Sequence, residues 1–146
     1  MISATRVSVT GMQAASRAVE ASAANIANMR TAGRTADAKV EPGPVRDARA
    51  EAAQPPATGY RPVRVRQESV EQGGVRATLE RVDPPQELAY EPTNPMADEK
   101  GMVALPRVSV ENEVVNLIQA KRAYEANLRV IATEDKMAGS LLDTIR

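Results

Sequence analysis

Apolar and small residues recur at alternating steps of three and four at both ends of the chain. At the start the series is Ile2, Thr5, Val9, Met12, Ser16, Val19, Ala23 and Ile26. That spacing predicts an amphipathic helix with a heptad-like seam. Arg6, Arg17 and Glu20 fall off the seam. Its Ala and Ser positions allow a partner helix to approach closely, because interaxial distance follows side-chain size. Gly11 and the β-branched residues near the start lower intrinsic helicity. This helix is therefore expected to be weak alone and firmer when packed. Its end is expected within "AANIANMRTAGR", residues 23–34. There Asn28 and Gly33 can take the left-handed conformation of a helix C-terminus. Arg30 and Arg34 fall near the negative end of the helix dipole. Asn25 and Asn28 are read first as capping and turn residues.

The other end begins after Pro106, the last proline, with no glycine until Gly139. Ser109 suits an N-cap, and Glu111 and Glu113 suit a first turn. A second heptad follows through Val110, Val114, Leu117, Lys121, Tyr124, Leu128, Ile131, Asp135, Ala138, Leu142 and Ile145. Lys121 and Asp135 do not fit a buried seam. Val115, Ile118, Val130, Met137 and Leu141 broaden the apolar face. At about 1.5 Å per residue the two helices are roughly 44 and 55 Å long. One short helix of small residues cannot cover so broad a face. Exposed apolar patches mark partner surfaces, so terminal helices from several chains are expected to pack together.

Between the helices the pattern changes. Residues 31–58 are Ala, Pro and charge with little periodicity, read as an extended loop. In residues 60–83, "YRPVRVRQESV" and "VRATLERV" flank Gly73-Gly74. Alternating Val63 and Val65, then Val75, Ala77 and Leu79, predict a β-hairpin with one half-buried face. A lone hairpin is marginal and needs a surface to lie on. Residues 89–113, "AYEPTNPMADEKGMVALPRVSVENE", read as a stiff, turn-rich lead-in setting the angle of the second helix. The expected fold is mainly α with a small β-hairpin. Residues 1–30 and 108–146 form a coiled-coil-like pair, and residues 31–107 form an irregular and β middle region.

Composition sharpens this picture. The chain of 146 residues has no Phe, Trp, His or Cys, and its aromatics are Tyr60, Tyr90 and Tyr124. Aromatic rings supply much of the buried area of ordinary cores, so a marginal monomer is expected. The 19 basic residues balance the 19 acidic ones, which gives no basic surplus for nucleic acid. Without His or Cys the common general bases, thiol nucleophiles and soft metal ligands are missing. The glycines lack the spacing of phosphate-binding loops. Asp98 beside Glu99, and Glu134 beside Asp135, are read as solvated charge. No catalytic residue, metal, cofactor or small-molecule substrate is expected. The start lacks the basic and apolar regions of a cleaved signal, and no run is long enough for a membrane span.

The motifs carry a resemblance. Tyr90, Pro92, Pro95, Ala97, Asp98 and Gly101 precede "PRVSVENEVVNLIQAKRAYEANLRVI", with Pro106, Val108, Val110, Arg122, Tyr124, Ala126 and Asn127. Together they resemble the C-terminal signature of bacterial flagellar rod proteins, in particular the proximal-rod members. Asn25, Ala27 and Asn28 in "SAANIANMRT" resemble the N-terminal motif shared by rod, hook and hook-associated relatives. "GGVRATLERVDPPQELAYEP" resembles the hairpin region of the same family. The chain departs from the family pattern at Met29-Arg30, at Asn94 where a histidine is frequent, and in its longer segment 35–58. The resemblance implies export unfolded through the flagellar type III apparatus, without signal cleavage. It also implies helical polymerisation across the periplasm as part of the rod. Implied partners are copies of the chain, other rod proteins, and ring and export-gate components of the basal body. On this reading Ile2, Val9, Met12, Val19 and Ile26 meet Val114, Leu117, Tyr124, Leu128, Ile131 and Leu142 within and between subunits. The alternatives are a soluble helical adaptor or chaperone of type III export, a sibling axial protein, and a hydrolase using acidic residues.

Overall fold

The computed structural model describes residues 2–35, 59–71 and 73–144. Most of the Ala/Pro-rich loop, residues 36–58, lies outside them, as do Ile145 and the side chain of Ile2. The described elements are α1 (Ile2–Asn28), β1 (Val63–Ser69), β2 (Val75–Arg81), β3 (Gln86–Tyr90), β4 (Met102–Pro106) and α2 (Val110–Thr144). Two two-stranded sheets pair β1 with β2 and β3 with β4. The architecture is two long helices with a small β middle. The chain divides into two compact units.

The first unit holds Met1–Ala24, Val63–Glu80 and Ser109–Arg146, so it combines most of α1, the β1–β2 hairpin and α2. The hairpin turns on Gly73 and Gly74, whose φ of 83° and 100° only glycine adopts without strain. Gly74 also lies against Thr10 of α1, where an added Cβ would sit 2.5 Å from the hydroxyl. That hydroxyl accepts a bond from the Val75 amide at 3.1 Å. Seven residues further along α1, Arg17 Nη1 donates to the Ala77 carbonyl at 2.9 Å. The hairpin is thus fastened to α1 at two points along its length. Arg64 and Glu80 pair across the strands at 3.0 Å on the exposed side. Leu79, expected on the covered face, is 55% exposed.

The start of α2 follows the expected cap. Ser109 Oγ accepts from the Asn112 amide at 3.3 Å and donates to Glu111 at 2.9 Å. The backbone amide of Glu111 and then the Ser109 hydroxyl hold the Glu111 carboxyl below its ordinary range. The end of α1 corrects the expectation of a left-handed cap. Among the described residues no non-glycine has positive φ, and Gly33 is not among the glycines that do. Instead Asn28 stays helical and closes a turn by accepting from the Thr31 amide at 2.9 Å. Gly33 serves a strand-like contact: it exchanges backbone bonds of 2.8 and 3.0 Å with Ala104 of β4.

The second unit holds Asn25–Pro62 and Arg81–Val108. In its sheet β3 and β4 are antiparallel, with Leu88 opposite Ala104 and Tyr90 opposite Met102. β4 and the end of β3 lie in the stretch, residues 89–113, read from sequence as a stiff lead-in. Their connection is built from consecutive turns. The Asn94 amide bonds to the Glu91 carbonyl at 3.0 Å, Ala97 to Asn94 at 2.9 Å, and Gly101 to Asp98 at 2.9 Å. Val103 is fully buried at the centre of this unit.

The buried apolar residues are almost all small: Ala14, Ala15, Ala21, Ala77, Ala104 and Ala120, with Val103. This matches the lack of aromatic residues. Burying a methyl group removes far less apolar surface from water than burying a Leu or Phe, so each of these residues contributes little burial energy.

Candidate assembly interface

The two helices run antiparallel in the first unit. Thr5 Oγ1 donates to Glu134, and Gly11 lies against Asn127, where an added Cβ would be 2.7 Å from the amide. This is why a glycine stands in the middle of α1. The Asn127 amide is itself held by a 2.8 Å bond to the Ala123 carbonyl, so it cannot swing away freely.

This close crossing sets which face of each helix is covered, and it corrects the seam expected for α1. The covered stripe is Ser8, Gly11, Ala15, Ala18, Ser22 and Asn25, flanked by Ala14 and Ala21. Each member lies one residue before a member of the expected seam, or about 100° round the helix. The inward side was selected by smallness, not by hydrophobicity, because only small side chains admit backbones this close. Val9 and Val19 are each left 39% exposed. Met12 and Ile26 are half-buried.

In α2 the correction applies to alternate positions. Val110, Leu117, Ile131 and Ala138 are half-buried as expected. The intervening inward positions are Glu113, Ala120, Asn127 and Glu134, each one residue before Val114, Lys121, Leu128 and Asp135. Lys121 and Asp135, the two misfits of the expected heptad, thus point outward. So do Val114 at 43%, Tyr124 at 38%, Leu128 at 49% and Leu142 at 69% exposure. Val115, Ile118, Val130, Met137 and Leu141 are also exposed.

Of the residues expected to meet, Val9, Met12 and Tyr124 share one shallow groove of about 560 Å³, with Arg17 and Glu20 at its sides. A second, larger cleft of about 610 Å³ opens between α1, the hairpin and α2. Gly11, Ala15 and Ala18 line it from α1, Val63 and Val65 from β1, and Ala123 from α2.

The motif residues sort into structural roles. Asn25 is 2% exposed, and its Oδ1 accepts from the Tyr60 hydroxyl at 3.0 Å. It is therefore a buried tie, not the cap or turn residue that its type suggested. Asn28 does serve the turn, where its side chain accepts from Thr31 at 3.3 Å. Gly101 has φ 75°, and an added Cβ would meet the Tyr90 ring at 2.9 Å and Pro92 at 3.1 Å. Pro106 is buried and Ala97 half-buried, while Ala27, Pro95, Arg122 and Ala126 are exposed. Sequence reasoning missed Thr10, Arg17, Tyr60 and Glu134 as ties. Only Gly11, a helix-weakening residue inside a helix, carried a signal of close approach.

Asp98 organises its turn. Oδ1 accepts from the amides of Lys100 and Met102, both at 2.9 Å, and Oδ2 accepts from the Thr35 hydroxyl at 3.1 Å. The Met102 amide, followed by Lys100 and Thr35, lowers the Asp98 pKa from its ordinary 3.8. A carboxyl with a depressed folded-state pKa contributes stability above its unfolded value and loses it as pH falls through the folded one. Asp98→Asn is therefore expected to destabilise the protein near neutrality. The gap from wild type should close as urea midpoints are followed from pH 6 down to pH values below the ordinary carboxylate range. A gap independent of pH would show that the charge of Asp98 is not what holds the turn.

The two long helices thus cross antiparallel and leave large apolar residues on their outer faces. The chain belongs to the flagellar basal-body rod family. The family model for the C-terminal domain of flagellar basal body rod FlgEFG proteins matches residues 99–144, and that for flagella basal body rod proteins matches residues 6–33. Among individual proteins it is similar to the flagellar basal-body rod protein FlgC of Yersinia enterocolitica. The two are 48% identical over 64 residues, 43% of this chain and 48% of the relative. The FlgC proteins of Salmonella typhimurium LT2 (44% over 66 residues; 44% of this chain, 49% of the relative) and Borreliella burgdorferi (43% over 74 residues; 47% and 49%) are similar too. The chain thus spans about half the length of the curated relatives it matches.

Proposed function

We propose that this chain is a structural subunit of the flagellar basal-body rod, polymerising helically through its terminal helices to transmit motor torque. The observation that carries the reading is the set of large apolar residues left outside on α2, from Val114 to Leu142. A face that broad is costly to keep in water and marks a partner surface. The exposed residues recur along the helix from Val114 to Leu142, and head-to-tail contacts through such a face that do not close generate an open helix. Family membership supplies the class of partner: copies of this chain and sibling rod proteins, with ring and export-gate components as further contacts. The place of action is the periplasmic rod, reached by type III export without a cleaved signal. The role is mechanical, not enzymatic. Weak helices that firm up against neighbours, around a core of Ala, suit a chain threaded unfolded through a narrow export channel. The family match favours this reading over a free helical adaptor. Deletion of the gene is expected to stop flagella before the hook forms, and re-expression is expected to restore them. Hooks of normal number on the deletion strain would refute the assignment.

A further inference from the structure

Each two-stranded sheet has two outer edges, and the chain satisfies one edge of each sheet itself. Successive residues of a paired strand alternate between bonding the partner strand and pointing their backbone groups outward. The Val82 amide donates to the Pro62 carbonyl and the Val70 amide to Gly74, so the outward residues of β2 include Val75 and Ala77. α1 meets both, because Thr10 accepts from the Val75 amide and Arg17 donates to the Ala77 carbonyl. In the other sheet the Glu91 amide donates to Gly101 and the Arg107 amide to Pro85, so Met102 and Ala104 of β4 point outward. Gly33 bonds Ala104, while the Asp98 amide and Oδ1 bond Met102. The same alternation turns Val65 and Gln67 of β1, and Leu88 and Tyr90 of β3, outward. Among the described residues no third strand meets either edge. An open strand edge is a template for a further strand.

We infer that β3 of one copy adds antiparallel to the open edge of β1 of another, which rests on the rod-subunit reading for the presence of a neighbouring copy. The occupant is a second copy because β1 and β3 are the two edges that one chain leaves open, and each supplies the strand that the other lacks. Outward residues exchange bonds with outward residues in an antiparallel pair. Leu88 and Tyr90 therefore join the face of β1 that carries Val65 and Gln67. These two line the cleft of about 610 Å³, whereas Leu88 and Tyr90 are 64% and 70% exposed in the single chain. Aromatic and aliphatic residues beside a β-branched one make favourable cross-strand neighbours. The addition turns two marginal two-stranded sheets into one sheet of four strands. The two edges are different surfaces of one molecule, so the contact is heterologous and repeats without closing.

The absence of cysteine from the chain allows a clean test. Arg66→Cys is co-expressed with Glu87→Cys, Ala89→Cys or Leu88→Cys in cells lacking the native gene. Basal bodies are then purified under oxidising conditions. In the paired strands position 66 shares a face with positions 87 and 89, and position 88 points to the other face. A disulfide needs Cα atoms within about 7 Å and Cβ atoms that do not point apart. The expected result is a mixed dimer with Glu87→Cys or Ala89→Cys about tenfold above that with Leu88→Cys, set by this facing requirement. If the chain is recovered in basal bodies but no mixed dimer forms, or Leu88→Cys gives as much, strand addition is overturned and the rod-subunit reading stands. A cysteine variant that fails to enter basal bodies is replaced by comparing Leu88→Pro with Leu88→Ala. Proline removes the outward amide and spares the bonds to β4, as edge positions allow. Recovery in basal bodies is expected to be about tenfold lower for proline, and equal recovery overturns the pairing. Absence of the chain from basal bodies made by wild-type cells overturns both readings.

Discussion

Leu128→Asp is expected to abolish rod assembly and swimming while leaving the isolated subunit folded. Leu128 is 49% exposed in the subunit, and the inward position beside it belongs to Asn127. An aspartate at 128 stays hydrated in the free chain, so the cost there is largely the roughly 0.5 kcal/mol lower helix propensity. At a packed interface the same carboxylate is buried without a partner, which costs about 3–5 kcal/mol. Each 1.4 kcal/mol is about tenfold in an equilibrium constant, so a contact repeated at every subunit fails by two to three orders of magnitude. Recovery of the subunit in purified basal bodies and spreading in soft agar measure the loss, with circular dichroism of the purified chain as the folding control. Leu128→Met should retain function. Normal swimming by the aspartate variant would remove Leu128 from the interface.

The second large effect is a reversal of sign at the helix crossing. In an ordinary exposed helix interior, Gly→Ala stabilises by about 0.5–1 kcal/mol. At Gly11 the new Cβ would lie 2.7 Å from both side-chain amide atoms of Asn127, an amide anchored to the Ala123 carbonyl. Gly11→Ala is therefore expected to destabilise, by about 1–3 kcal/mol as other overpacked sites do. Asn127→Ala removes the obstructing amide. In that background Gly11→Ala should become stabilising, recovering the propensity gain. Urea unfolding of the four proteins closes the cycle. A Gly11→Ala effect of the same sign and size in both backgrounds would show that the glycine is not there for the crossing.

These two sites also show how far sequence alone reached. The helices, their approximate ends, the Ser109 cap and the Gly73-Gly74 turn were legible because each is a local preference: a repeat, a hydroxyl before a first turn, a positive φ. The strands β3 and β4 were less so. "QELAY" and "MVALP" are short, and the proline-rich turns between them dominated the pattern. The covered face was less legible: within the chain, the side of α1 that turns inward lies one residue before the expected seam. A mixed series of large and small residues does not by itself fix the register, and a backbone approaching another closely selects the stripe richest in Ser, Gly and Ala. On α2, Lys121 and Asp135 carried the corresponding signal, since charges in a seam mark positions that do not turn inward within the chain.

The sequence by itself determined that two amphipathic helices flank a small β region, and that no Phe or Trp is present to fill a large core. Periodicity and residue type are properties of the chain and survive without a partner surface. Tertiary structure alone decided which side of each helix turns inward. It also made Asn25 a buried tie to Tyr60 and gave Gly33 its place beside Ala104. Those outcomes depend on distances between residues far apart in the chain. At such distances a single methyl group, absent at Gly11, decides how near two backbones can come.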